Sequence, residues 1–171
     1  MPYHSRANGR HVHGLHAITA YRNRDGKLSD TNCGLAAAAT ALRHKHLFTD
    51  SDLSELESRF PPDILFGRCG TSKDRVCEIL DAYKCRWREV EDKQALERAI
   101  KHCHPVIVML SLPNHTASGH WMVAYAYDRH HVHLTNYVHY KDQMSWKHFE
   151  ESWDSWLGYW IDMDNTGIEI S

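Results

Sequence analysis

The stretch Asp30-Thr31-Asn32-Cys33-Gly34-Leu35-Ala36-Ala37-Ala38-Ala39-Thr40-Ala41-Leu42 decides how the chain is read. Asp, Thr and Asn are helix-capping residue types, and the Ala-rich run behind them has strong helical propensity. Cys33 therefore stands at a helix N-terminus. Unpaired backbone N–H groups and the positive end of the helix dipole gather there, and both favour a thiolate over a thiol. The small alanines let the rest of the protein pack close around the helix. Two readings of Cys33 stay open at this point: an activated nucleophile, or a small buried hydrophobe.

Far downstream, Gly119-His120-Trp121-Met122-Val123-Ala124-Tyr125-Ala126-Tyr127-Asp128 reads as an apolar, aromatic strand opened by a histidine. Asp128-Arg129-His130 is a polar turn, and Val132-His133-Leu134-Thr135-Asn136-Tyr137-Val138 is a second β-rich run, so the pair forms a hairpin. His120 and Asn136 are 16 positions apart, which lets one strand carry the histidine and its neighbour the asparagine. A thiol at a helix start, an imidazole to take its proton and an amide to orient the imidazole are the parts of a Cys-His-Asn nucleophilic site.

With these residues in place, the chain resembles the papain-like cysteine peptidases, most closely their bacterial C39-like branch. The matching features are Asn32-Cys33-Gly34 before the Ala-rich helix, Gly119-His120 opening a strand, and Asn136 where that branch usually has Asp before Pro. His104-Pro105-Val106-Ile107-Val108-Met109-Leu110 matches the strand before the histidine loop. Met144 to Trp153 matches a closing helix rich in Phe and Trp. The resemblance spans roughly residues 27 to 160 and implies an α+β, papain-like fold with the nucleophile helix packed on an antiparallel sheet. It also implies a thiol hydrolase of the EC 3.4.22 type acting on a peptide or other amide, with no cofactor and no metal. Cys33 would attack, His120 would act as base and then acid, and Asn136 would fix the His120 tautomer. Acyl transfer on the same fold is the alternative, as is a binding module without catalysis. A signal-less single domain of this kind also suits a secreted bacterial effector.

One departure bears on activity. Relatives usually carry a Gln six residues before the nucleophile, whose amide helps hold the oxyanion, and Lys27 stands there in this chain. The candidates for that second donor are Lys27, Asn32 and Asn23, beside the backbone N–H of Cys33.

A chain of 171 residues at 42% hydrophobic is long enough for one domain with a proper core. The expected organisation is a flexible arm over 1–14 followed by one catalytic domain over 15–171. Net charge is -2 with no Lys/Arg run, which excludes an electrostatic footprint for nucleic acid. The N-terminus lacks an apolar signal core, and no run approaches the roughly 18 apolar residues of a membrane span, so no membrane role is expected. The expected location is the cytoplasm, or outside by a route that needs no signal peptide. Cysteines 33, 69, 77, 85 and 103 are an odd set that fits reduced thiols. Cys77 and Cys103 read as core, and Cys69, beside Gly70, reads as a loop residue.

Four further elements are expected: helices over Thr49–Phe60, Thr71–Tyr83 and Asp92–His102, and a strand over Cys85–Val90. The aromatic series Phe149, Trp153 and Trp156 has core spacing. Trp121 is either strand core or a shield for the His–Asn hydrogen bond. His131, His133 and His139 share a strand face and are read as a wet surface rather than a zinc site. His44 and His46 are read as offsetting the dipole at the end of the Cys33 helix. His11, His13 and His16 belong to the solvated arm.

Overall fold

Two antiparallel strands, β5 (Val106–Ser111) and β6 (Gly119–Tyr127), lie near the middle of a sheet whose hydrogen-bonded order is β4-β9-β5-β6-β7-β8. The flanking strands are β4 (Trp87–Val90), β7 (His131–Thr135), β8 (Gln143–Ser145) and β9 (Gly167–Ile170). The computed structural model describes residues 10–12, 33–49, 52–61, 63–65, 68–111, 119–135, 143–153 and 166–171. A short separate hairpin pairs β2 (Asp63–Leu65) with β3 (Arg68–Gly70). The helices are α1 (Cys33–His44), α2 (Leu53–Arg59), α3 (Lys73–Ala82), α4 (Lys93–Lys101) and α5 (Trp146–Trp153).

Strand alternation sorts the sheet into two cores. Ile107, Met109, Trp121, Val123, Ile168 and Ile170 pack with Leu35, Ala38 and Leu42 of α1 and with Val76, Ile79 and Leu80 of α3. Val106, Val108, Leu110, Met122, Ala124, Val132 and Leu134 pack with Leu96 and Ile100 of α4 and with Phe149 and Trp153 of α5. A sheet covered on both faces explains why Val106 to Leu110 is apolar at every position instead of alternating. The α+β arrangement expected from the sequence is present, with α1 packed on β6 and β5 of the antiparallel sheet.

The helix starts follow local chemistry. Ser72 caps α3 by accepting the Arg75 N–H at 3.1 Å, and Asp92 caps α4 by accepting the Ala95 N–H at 2.6 Å. Asp52 turns back to accept both the N–H and the hydroxyl of Thr49, at 2.9 and 2.8 Å, just ahead of α2. Phe149 and Trp153 are buried as their spacing predicts, and Trp146 is buried beside them, whereas Trp156 lies outside the described residues.

Several expectations are corrected. Within the stretch expected to be an extended or loose arm, Arg10 and His11 form β1 against Tyr127 and Ala126, and Val12 is buried; the rest of 1–14 lies outside the described residues. The reason is a free strand edge: β7 pairs Ala126 and Tyr127 on one side, while β5 reaches only as far as Ala124 on the other. Strand β9 carries too few residues and too much polarity to read as central, yet it sits between β4 and β5. Its Glu169 is 2% exposed and accepts from Arg88 Nε at 2.6 Å and bonds His104 Nδ1 at 2.7 Å. Burial pushes that carboxyl up, but the Arg88 and His104 hydrogen bonds outweigh it and hold it below its ordinary value. Cys69 lies in β3 rather than in a loop.

Cys103, expected in the core, is exposed and has a left-handed φ of 62°. It closes α4 as part of a Schellman motif, with the His104 N–H bonding Ala99 O at 3.0 Å. His46 (φ 58°) and Lys84 (φ 55°) close α1 and α3 in the same way. Glycine is the usual residue at such positions because it has no Cβ to strain. Lys84→Gly should therefore raise stability by about 1 kcal/mol, and Tm by about 2–4 °C, while Lys84→Ala should not. Thermal unfolding of the two variants checks this.

Candidate active site

Cys33 is the first residue of α1, and every residue from Cys33 to Leu42 is buried. A helix surrounded on most sides needs small residues, which is why alanines fill it. Thr40, the one hydroxyl in the run, bonds Ala36 O at 2.7 Å within the helix. Gly34 is dictated by a neighbour: a Cβ there would stand 2.4 Å from Thr71 Cβ. The start of α1 and the residue before the α3 cap are therefore in close contact.

His120 is the second residue of β6, half-buried, opposite Leu110 in the β5 register. Gly119 beside it lies under the Met109 side chain, whose sulfur would be 2.7 Å from an added Cβ. Trp121 follows on the face toward α1 and is 1% exposed. Its indole N–H donates to Thr71 O at 2.7 Å. Trp121 is therefore core, while its reading as a shield involves Asn136, which lies outside the described residues. The chain neighbours of Cys33 and of His120 thus both meet Thr71, so the helix start and the strand start lie at one end of the sheet. Sequence reasoning missed Thr71 as a site residue and read it only as a helix start. A β-branched residue before a helix cap carries no signal of its long-range partners.

Strand β7 returns beside β6, with Thr135 opposite Val123 and an irregularity between Ala124 and Ala126. Asn136, the next residue, lies outside the described residues, as do Lys27, Asn32 and Asn23. Asp128 anchors the hairpin turn. Its Oδ1 accepts the His130 and His131 N–H groups at 2.7 and 2.8 Å. Those backbone bonds, with charge from His131 and His133, hold the carboxyl below its ordinary value.

The histidines depart from expectation. His133 is 7% exposed, with its ring edge-on to Tyr125 and Nε2 3.7 Å from Asp128 Oδ2. That face is not wet at His133, because Asp128 reaches back from the turn. Among the described residues, no group of three or more His, Cys, Asp or Glu side chains is arranged to hold a metal ion. His139, His13 and His16 lie outside the described residues. His44 is half-buried, and burial together with Lys45 holds its pKa below the ordinary value, which opposes the charged, dipole-offsetting role. His46 serves α1 through its backbone instead.

The other described thiols differ from Cys33 in setting. Burial pushes Cys77 up to about 11 and Cys85 upward as well, so both are poor nucleophiles near neutral pH. Cys103 is exposed. Among the described residues no helix is long and apolar enough to cross a membrane.

Residues 15–161 match the model of the Peptidase_C39 like family. The structure is similar to the crystal structure of a "putative C39-like peptidase" from Bacillus anthracis, with a TM-score of 0.66 at 12% identity. That similarity covers 96% of this chain and 98% of the other, and at such low identity it establishes the fold. Among curated proteins, no sequence matches the chain significantly.

The Asp128 bonds give a prediction for the hairpin. Asp128→Ala should cost about 1 kcal/mol, a value kept small by the exposure of the turn. A carboxyl held low contributes stability that is fully present above its unfolded value and is lost as pH falls through its folded one. The variant should therefore lose the part of the acid-unfolding transition that lies below about pH 4. Urea unfolding across pH 2–6 checks both points.

Proposed function

Because the chain belongs to the Peptidase_C39 like family, we propose that it is a thiol hydrolase of amide bonds, a peptidase or amidase, with Cys33, His120 and Asn136 as its catalytic residues. The observation that supports this reading is the convergence on Thr71, which both Gly34, next to Cys33, and the indole of Trp121, next to His120, contact. In this reading His120 removes the Cys33 proton, and the sulfur adds to the substrate carbonyl carbon. The tetrahedral intermediate then collapses: the C–N bond breaks, and His120 returns the proton to the departing amine. Water, deprotonated by His120, hydrolyses the thioester and regenerates the thiol.

By alternation His120 shares a strand face with Met122, opposite to Trp121. Val132 and Leu134 of β7 belong to that same face, and Asn136 is the next member of their series in sequence. An amide there would accept or donate at the imidazole and fix its tautomer. The Cys33 sulfur and the imidazole would then meet past the end of the sheet. The oxyanion would be held by the Cys33 N–H and one of Lys27, Asn32 and Asn23. Lys27 would add a full positive charge, able to favour both thiolate and oxyanion. The substrate partner is a peptide or related acyl compound; acyl transfer would use the same thioester with an amine in place of water.

A second reading, a binding module without catalysis, draws on Lys27 at the usual Gln position and on the burial of Cys33, which is 4% exposed. Turnover separates the two. In a screen of peptide substrates, Cys33→Ala should abolish hydrolysis while keeping the wild-type Tm, and His120→Ala should cost about 10⁵-fold or more. Asn136→Ala should leave a larger residual rate. Ala substitution of the true second oxyanion donor among Lys27, Asn32 and Asn23 should raise the barrier by about 3 kcal/mol. Turnover that survives Cys33→Ala would sink the proposal.

A further inference from the structure

Thr71 joins two segments that no local sequence feature connects. Its backbone is fixed from its own side, because Ser72 caps α3 and the first helical carbonyl, Ser72 O, accepts the Val76 N–H at 3.1 Å. The Thr71 carbonyl lies outside that ladder and accepts the Trp121 indole N–H at 2.7 Å. Thr71 is 4% exposed and Trp121 1%, so neither end of this bond has water as a substitute. A buried N–H deprived of its acceptor costs its full desolvation, which makes the bond directional and not merely greasy contact. On its other side Thr71 touches Gly34: an added Cβ would meet Thr71 Cβ at 2.4 Å, Cγ2 at 2.6 Å and Oγ1 at 2.9 Å. These are atoms at the root of a short side chain, so relief requires backbone movement.

Each contact is one residue from a proposed catalytic group. Gly34 follows Cys33 on a helix, one peptide unit away, and the Trp121 indole hangs from the residue after His120 on a strand. Shifts in the Thr71 contacts therefore act on the two backbone segments that carry the sulfur and the imidazole. An error of about 1 Å in such a pair costs on the order of 10²-fold in rate.

We propose that Thr71, through its carbonyl bond to Trp121 and its contact with Gly34, is a brace that sets the separation of Cys33 and His120. Thr71 and Trp121 are thus positioning residues rather than catalytic ones. This inference rests on the thiol-hydrolase reading above. It adds that the site is held by packing between α1, α3 and β6, not by the nucleophile and base alone.

The test needs no knowledge of the substrate. In the full chain carrying Cys103→Ser, to remove an exposed competing thiol, the rate of Cys33 alkylation by iodoacetamide is followed from pH 5 to 10 by peptide mass analysis. Without further change, the rate should rise through a midpoint below the value of about 8.5 usual for a free cysteine. Trp121→Phe deletes the indole N–H but keeps an apolar ring, and its midpoint should move upward by about 1 unit or more as the imidazole loses its place beside the sulfur. Gly34→Ala should shift it in the same direction. Trp87→Phe deletes another indole N–H, bonded at 2.8 Å to Asp81, away from this contact, and should leave the midpoint where it is. If Trp121→Phe and Gly34→Ala lower Tm but keep the midpoint, Thr71 only packs the core and the inference is overturned. If Trp121→Phe does not fold, Gly34→Ala alone decides by the same criterion. If the Cys103→Ser protein itself has no low midpoint, the nucleophile reading fails, and this inference with it.

Discussion

Six consecutive residue pairs, from Val106 opposite Ala124 to Ser111 opposite Gly119, join β5 to β6, and the rest of the molecule is placed by reference to them. Both faces of that pair are covered, so each strand residue contributes to one core or the other. A slip of one residue would send Trp121 and Val123 to the α5 side and Met122 and Ala124 to the α1 side. The two cores differ in shape: one receives an Ala-rich helix at close range, the other receives the rings of Phe149 and Trp153. Register is therefore specified by volume as well as by polarity. The position of His120 at the strand start is a consequence of that register.

What could be read from the sequence follows from where each signal resides. Helix α1 was legible because capping types and alanines are local, and α3 and α4 because Ser72 and Asp92 precede regular apolar spacing. The β6–β7 hairpin was legible because Asp128 combines turn chemistry with apolar runs on both sides. Cys33 and His120 could be singled out for the same reason, since each opens an element whose start is marked. Strand β9 was not legible. Only four residues long, with Glu169 inside, it gains its place from Arg88 and His104 on other strands and loops. Cys103 misled because its neighbours are helical, while its own role is a left-handed cap that any residue type fills at a cost. Thr71 was invisible as a brace because both its partners are distant in sequence.

The carboxylates and histidines divide by whether their partners fix their charge. Glu169 keeps its charge in a buried place because Arg88 and His104 satisfy it. Removing either would leave a buried charge under-compensated, the costly half of any buried pair. Asp128 keeps its charge through backbone N–H groups in a turn. His44 takes the opposite course: burial and the nearby Lys45 disfavour its proton. These groups are committed to one state near neutral pH and serve structure.

A thiol hydrolase needs the contrary property at one place, a pair whose proton moves during each turnover. Such a pair cannot be held by its own bond, because the bond changes character as the proton crosses. Its geometry has to come from groups that do not titrate. An indole N–H, a backbone carbonyl and a glycine in van der Waals contact meet that requirement, and they connect the Cys33 and His120 segments through Thr71. In the proposed reading, the brace stays constant through acylation and deacylation while the sulfur and imidazole exchange charge. On that reading, Lys27 in place of an amide side chain would disturb the site less than a side chain at Gly34 would. The first alters the field around the reacting atoms. The second alters where those atoms stand.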